Sequence, residues 1–128
     1  MRLWFVDDDK ENRKQFKELY STYGRVEAFE SCFDAHRAAA RPDVVVIDCS
    51  ACGAFVMHHA MYAPICSLIG KHPAAKYIVR SAMPIECQQA VVEDVRREIP
   101  ETDIIAVAWN ADLERHFISK ATEAAGEE

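Results

Sequence analysis

The sequence predicts a doubly wound α/β fold: one parallel sheet of five strands in the order 2-1-3-4-5, with helices on both faces. Three observations predict it. Short β-type runs alternate with longer helical runs five times along the 128 residues, with no repeat, low-complexity stretch or linker between them. The first, third and fifth strand runs are almost wholly apolar, as strands covered on both faces should be. Two of those runs stop on carboxylates: Leu3-Trp4-Phe5-Val6 meets Asp7-Asp8-Asp9, and Val44-Val45-Val46-Ile47 meets Asp48. Right-handed crossovers make 2-1-3-4-5 the most economical order. Its switch point lies between the first and third strands, where ligands of open parallel sheets bind.

The elements follow in order. The first strand, Arg2 to Val6, leads into a helix from about Lys10 to Tyr23. Its Phe16, Leu19, Tyr20 and Tyr23 keep the i, i+3, i+4, i+7 spacing of one buried face, and Gly24 closes it. A short strand, Val26 to Phe29, precedes Ser31 and Asp34, a capping pair that opens a second helix ending before Arg41-Pro42. The third strand runs to Asp48. Residues 54–70 are apolar and helical, with Pro64 breaking or restarting the helix and Ile65, Leu68 and Ile69 turned inward. The fourth strand is Lys76 to Arg80. Pro84 suits the first turn of a helix through Glu98 that carries Val91, Val95 and Ile99 inward, and Pro100 stops it. The fifth strand, Asp103 to Ala108, is followed by a helix capped by Asp112, with Leu113, Phe117 and Ala121 at i, i+4, i+8.

This length fits one domain, residues 1–125, with 126–128 as a fraying tail. Half the residues are hydrophobic and 28% are charged, the balance of a compact globule rather than a disordered chain. The net charge of -6 comes with no basic block, which argues against nucleic acid and anionic membrane surfaces as partners and leaves proteins. The longest apolar run, Ile104 to Trp109, is far short of the roughly twenty residues that span a bilayer. No signal peptide is read at the start. Five cysteines, Cys32, Cys49, Cys52, Cys66 and Cys87, are an odd number in mostly apolar surroundings. They read as reduced thiols in a cytoplasmic protein.

Clustered carboxylates repel one another and persist where a cation neutralises them or some take up protons. The acidic strand ends therefore point to a metal-dependent pocket with oxygen ligands. A carboxylate oxygen in such a pocket can attack a phosphoryl group to give an aspartyl phosphate, once charge on the transferring oxygens is neutralised.

Three pieces, Leu3 to Asp9, Arg41-Pro42-Asp43-Val44-Val45-Val46-Ile47-Asp48 and Tyr77-Ile78-Val79-Arg80-Ser81-Ala82, resemble in order and spacing the receiver domain of two-component response regulators. The resemblance spans almost the whole chain and implies a (βα)5 flavodoxin-like receiver fold. It implies that Asp48 is the phosphoacceptor, that Asp7, Asp8 and Asp48 hold Mg²⁺ with the backbone carbonyl of Ser50, and that the Ser81 hydroxyl contacts the phosphoryl group. The implied activity is signalling by a stand-alone domain, with at most self-phosphorylation from a phosphodonor and self-dephosphorylation. The implied partners are a histidine kinase or phosphotransfer protein and a downstream target, with the chain a monomer or weak homodimer.

Departures accompany the matches. The family's strand 5 ends in a lysine that pairs with the phosphoryl group, whereas this chain reads Val107-Ala108-Trp109-Asn110. Ala106 falls near the place of the family's aromatic switch residue. The loop after Asp48, Cys49-Ser50-Ala51-Cys52-Gly53, lacks the usual Pro-Gly turn, and the helix before strand 5 is longer than usual. A pseudo-receiver, a protein-binding module not regulated by phosphate, is therefore the alternative. A third reading is a haloacid dehalogenase-like phosphatase using Asp7 and Asp9, with Ser81 in its second motif; it leaves Asp48 unexplained.

Simpler roles compete for single residues. One of the three aspartates suffices to cap the first helix, and a lone Asp48 or Ser81 is an ordinary strand-end residue. Cys49-x-x-Cys52 beside His58 and His59 has the elements of a redox or zinc pair, but no second CxxC supports zinc, and two partly buried thiols are the better reading.

Overall fold

The computed structural model describes residues 1–48, 58–81, 85–108 and 111–126. Strands and helices alternate: β1 (Arg2–Val6), α1 (Lys10–Tyr20), β2 (Arg25–Phe29), α2 (Cys32–Arg37), β3 (Val44–Asp48), α3 (His58–Lys71), β4 (Lys76–Ser81), α4 (Ile85–Glu98), β5 (Ile104–Ala108) and α5 (Ala111–Gly126). The strands pair in parallel in the order β2-β1-β3-β4-β5, the order the sequence predicts.

Strand alternation divides the core into two layers. Trp4, Val6, Val45, Ile47, Tyr77, Val79 and Ile104 pack on one face with Cys32, Ala35, Ile65, Leu68, Ile69, Val91, Val92 and Val95 of α2, α3 and α4. Leu3, Phe5, Val44, Val46, Ile78 and Val107 pack on the other with Phe16 and Tyr20 of α1 and Ile118 and Ala121 of α5. The same parity carries the site. Asp7 continues the row of Leu3 and Phe5, Asp48 that of Val44 and Val46, and Arg80 that of Ile78, so all three fall on the α1 and α5 face at the carboxyl edge of the sheet.

The helices depart from expectation in four places. Helix α1 ends at Tyr20, and its buried stripe is only Phe16 and Tyr20, spaced i, i+4; Leu19 lies on the flank, 48% exposed. Gly24 is three residues past the C-cap Ser21 and does not close the helix. It opens β2 instead: its φ is 154° and an added Cβ would stand 2.6 Å from the carbonyl oxygen of Met1, the oxygen that accepts from Arg25 N–H at 3.0 Å. Helix α3 runs unbroken through Pro64. Pro64 is on the exposed side, where water can serve the Ala60 carbonyl that proline leaves without a helical donor. Helix α5 begins at Ala111, which puts Asp112 inside the first turn, favourable to the helix dipole, rather than at the cap. The inward face of α5 is Glu114, Ile118 and Ala121, with Phe117 half-buried; the side chain of Leu113 is outside the description. Gly126 is the last helical residue.

Other expectations hold. Ser31 caps α2, its hydroxyl accepting from Asp34 N–H at 3.1 Å. Ile65, Leu68, Ile69, Val91 and Val95 are buried. Cys32 is buried and Cys66 half-buried, and burial, with the charge of Glu98, pushes the Cys66 thiol pKa up. Cys49, Cys52, Pro84 and Trp109 lie outside the described residues. Among those described, no helix is long and apolar enough to cross a membrane.

Candidate functional site

The three N-terminal aspartates have three different environments. Asp9 is the N-cap of α1: its Oδ1 accepts from Glu11 N–H at 2.9 Å and from Asn12 N–H at 3.2 Å. Asp8 is exposed. Asp7, only 1% exposed, accepts from Asp9 N–H at Oδ1 (2.9 Å) and from Asn12 Nδ2 at Oδ2 (3.0 Å). Its carbonyl accepts from Arg13 Nη1 at 2.8 Å. Capping thus accounts for Asp9 and leaves Asp7 unexplained by it.

Burial raises the pKa of Asp7, chiefly by desolvation and further through the negative charge of Asp48. The hydrogen bonds from Asp9 and Asn12 and the charge of Arg80 pull it back down. Asp48 thus lies close enough across the β1–β3 switch point for its charge to act on Asp7, with the Arg80 guanidinium opposing it.

Asp48 is the last residue of β3 and is buried. Its register partner on β4 is Arg80, whose Nε donates to Asp48 Oδ2 at 3.3 Å. Arg80 Nη1 donates to Oε1 of Glu114 on α5, and Oε2 of Glu114 accepts from the Tyr20 hydroxyl of α1 at 2.9 Å. The Tyr20 pKa is raised by its burial and by the charge of and hydrogen bond to Glu114, so the phenol stays a donor. Beneath the guanidinium lies an aromatic platform. Phe5 and Phe16 stack with centroids 4.2 Å apart, and Arg80 Cζ sits 4.5 Å from the Phe5 centroid and 5.7 Å from that of Phe16, within cation–π range. Among the described residues Arg80 is the one buried arginine or lysine, set among buried Asp7, Asp48 and Glu114.

The expected constellation is therefore partly assembled. Asp7 and Asp48 come together, and Ser81 ends β4 opposite Ala108 of β5, its backbone alone being placed. Ser50 lies outside the described residues, and no group of three or more His, Cys, Asp or Glu among those described is arranged to hold a metal ion. The donor set nevertheless fits a hard divalent cation, since Mg²⁺ is ordinarily held by one or two carboxylates plus water and phosphate oxygens. Sequence reasoning missed Arg80, Glu114, Tyr20 and Asn12 as site residues. The signal for Arg80 was present: a charged residue at a core-facing position of an apolar strand, level with the terminal aspartate of its neighbour.

No family model matches the sequence, and no curated protein does. Solved structures do. The beryllofluoride-activated receiver domain of DrrB, a Thermotoga maritima OmpR/PhoB homologue, superposes with a TM-score of 0.71 at 19% identity, covering 95% of this chain and 97% of that one. A Burkholderia pseudomallei response regulator with a phosphorylated aspartic acid, a calcium ion and citrate gives 0.66 at 16% identity, over 98% of this chain and 71% of that one. A putative pilus assembly protein, CpaE, from Burkholderia thailandensis gives 0.69 at 16% identity, over 100% and 99%. Identities this low carry the fold and not the chemistry of a particular relative. The chain has the fold of the response-regulator receiver domain, from end to end of the described sheet.

Proposed function

We propose that this chain is a receiver-type signalling module that takes a phosphoryl group on Asp48 and acts by docking to another protein. The observation that carries the reading is the pairing of Asp7 with Asp48 at the switch point of a receiver fold, both buried at the ends of strands whose register sets Val6 beside Ile47. The phosphorylated aspartic acid and calcium ion of the similar Burkholderia pseudomallei regulator support it.

In the proposed reaction an Asp48 carboxylate oxygen forms a bond to phosphorus while the bond from phosphorus to the donor's leaving atom breaks, an imidazole nitrogen in a phosphohistidine donor or an oxygen in acetyl phosphate. The electron pair departs with the donor fragment, and a carboxylate nucleophile has no proton to lose. Asp7, Asp8 and Asp48, with the carbonyl of Ser50, would hold Mg²⁺, which supplies neutralising charge to the transferring oxygens when bound. Asn12 and the Asp9 N–H orient the Asp7 carboxylate. Ser81, at the end of β4, is the proposed hydroxyl contact to the phosphoryl group. The proposed protein partners are a histidine kinase or phosphotransfer protein that supplies phosphate, and a target that reads the result.

Incubation with acetyl phosphate and Mg²⁺, followed by intact-mass measurement, tests this. A single phosphoryl adduct on wild type, absent from Asp48→Asn, is expected. The pseudo-receiver reading draws support from the Arg80 contact, which already supplies Asp48 with a cation. It predicts no adduct and no binding of the phosphoryl mimic beryllofluoride.

A further inference from the structure

We infer that Arg80 is the phosphoryl-binding cation of this site, taking over from β4 the task for which β5 has no lysine, and that Glu114 is the counter-ion from which the phosphoryl group draws it. The inference rests on the reading of Asp48 as acceptor and deepens it.

Several features of Arg80 converge. It is the register partner of Asp48 and shares its sheet face. Its Nε already touches the carboxylate to be modified, so a phosphoryl group added to Asp48 arrives within reach of the same guanidinium. That guanidinium carries five N–H donors in a planar fork suited to phosphate oxygens. It rests on the Phe5–Phe16 stack, which holds its plane in place. Finally, residues 104–108 of β5 are Ile-Ile-Ala-Val-Ala and bring no charge to the site.

Glu114 gives the arrangement its second half. A buried carboxylate on α5, fixed by the Tyr20 hydroxyl, holds the far side of the guanidinium. A phosphoryl group replaces the single negative charge of Asp48 with about two. Competition for one buried guanidinium then tilts from Glu114 toward Asp48, and the tie between β4 and α5 loosens. Occupancy of Asp48 is thereby carried to α5 and, through Tyr20, to α1. A small charge change becomes a change in how two helices sit on the sheet.

The test uses beryllofluoride with Mg²⁺ on the whole chain, its binding read as the rise in thermal midpoint of each variant above that variant's own unliganded value. Wild type is expected to bind. Arg80→Met is expected to need about tenfold or more beryllofluoride for the same rise, the scale of a lost charge-assisted hydrogen bond, and Arg80→Lys to fall between. Glu114→Gln is expected to bind several-fold more tightly than wild type, because it keeps the shape of the clamp and removes the competing charge. A merely structural role for Arg80 does not predict opposite signs for these two substitutions. Should Arg80→Met fail to fold, Arg80→Lys and Glu114→Gln decide alone. Wild-type binding with unchanged affinity in the Arg80 variants, or with weaker or unchanged affinity in Glu114→Gln, overturns the inference and leaves Asp48 as acceptor. No binding by wild type overturns the acceptor reading itself, and this inference with it.

Discussion

Arg80 and Asp48 are direct register partners on adjacent parallel strands, and Arg80 donates its Nε–H to the Asp48 carboxylate at 3.3 Å. Both groups are buried, and desolvating two charges is costly unless further hydrogen bonds complete their shells. Glu114, Tyr20 and the Phe5–Phe16 platform help to supply that completion. The pair is consequently a junction of β3, β4, α1 and α5 rather than an isolated bridge.

Removing the guanidinium strands buried negative charge. Arg80→Met is expected to lose about 3–5 kcal/mol of stability, the usual cost of breaking a buried pair from one side. In urea unfolding, the double variant Arg80→Met/Glu114→Gln should lose less than the sum of the single variants. Strict additivity would contradict the direct coupling.

Tyr20→Phe keeps the ring against Phe16, at 4.5 Å between centroids, and deletes only the donor to Glu114. A loss of about 1.5–3 kcal/mol is expected, the range for a hydrogen bond to a charged group. Urea unfolding measures it, and a change within about 0.5 kcal/mol, as at an unremarkable surface site, would contradict the bond.

Phe16 and Leu19 sit three residues apart on α1 with opposite fates. Phe16→Ala is expected to cost about 3–5 kcal/mol, as for a buried aromatic, whereas Leu19→Gln should stay within about 0.5 kcal/mol of wild type. Comparable losses at the two positions would show that α1 buries a wider stripe.

His72 gives a pH signature well away from the acidic site. It is buried edge-on to Trp4, with ring centroids 5.3 Å apart. Burial first, and then the positive charges of Lys71, Arg41 and His36, hold its pKa below the ordinary 6.5. Between the lowered folded value and 6.5 the unfolded chain binds more protons, so stability rises with pH there. The contribution is fully present above 6.5 and is lost as pH falls through the folded value. Urea midpoints of wild type should therefore fall more steeply below pH 6.5 than those of His72→Phe, and parallel curves would contradict this.

Much of the fold is legible in the sequence because the physics is local. Short, β-branched apolar runs such as Val44 to Ile47 favour strands buried on both faces, and right-handed crossovers narrow their order. Helix edges are less legible. Leu19 is apolar and correctly spaced, yet α1 covers the core with only Phe16 and Tyr20, and a proline signal at Pro64 is overridden because that side of α3 meets solvent. At the site, Asp7 and Asp48 announce themselves by ending apolar runs. Arg80 and Glu114 do not, because their meaning lies in register and helix phase: Arg80 is one strand position from Ser81, and Glu114 one helix position from Leu113. Parity within β4 would have turned Arg80 toward Asp48, but nothing in the spacing of α5 alone sets Glu114 beneath it.

The most direct test of the central claim is to locate the phosphoryl group. After reaction with acetyl phosphate and Mg²⁺, borohydride reduction converts an aspartyl phosphate to homoserine, which peptide mass spectrometry places in the chain. Homoserine is expected at position 48 and nowhere else. Homoserine at position 7 or 9, or at no aspartate of a fully folded sample, would contradict that claim.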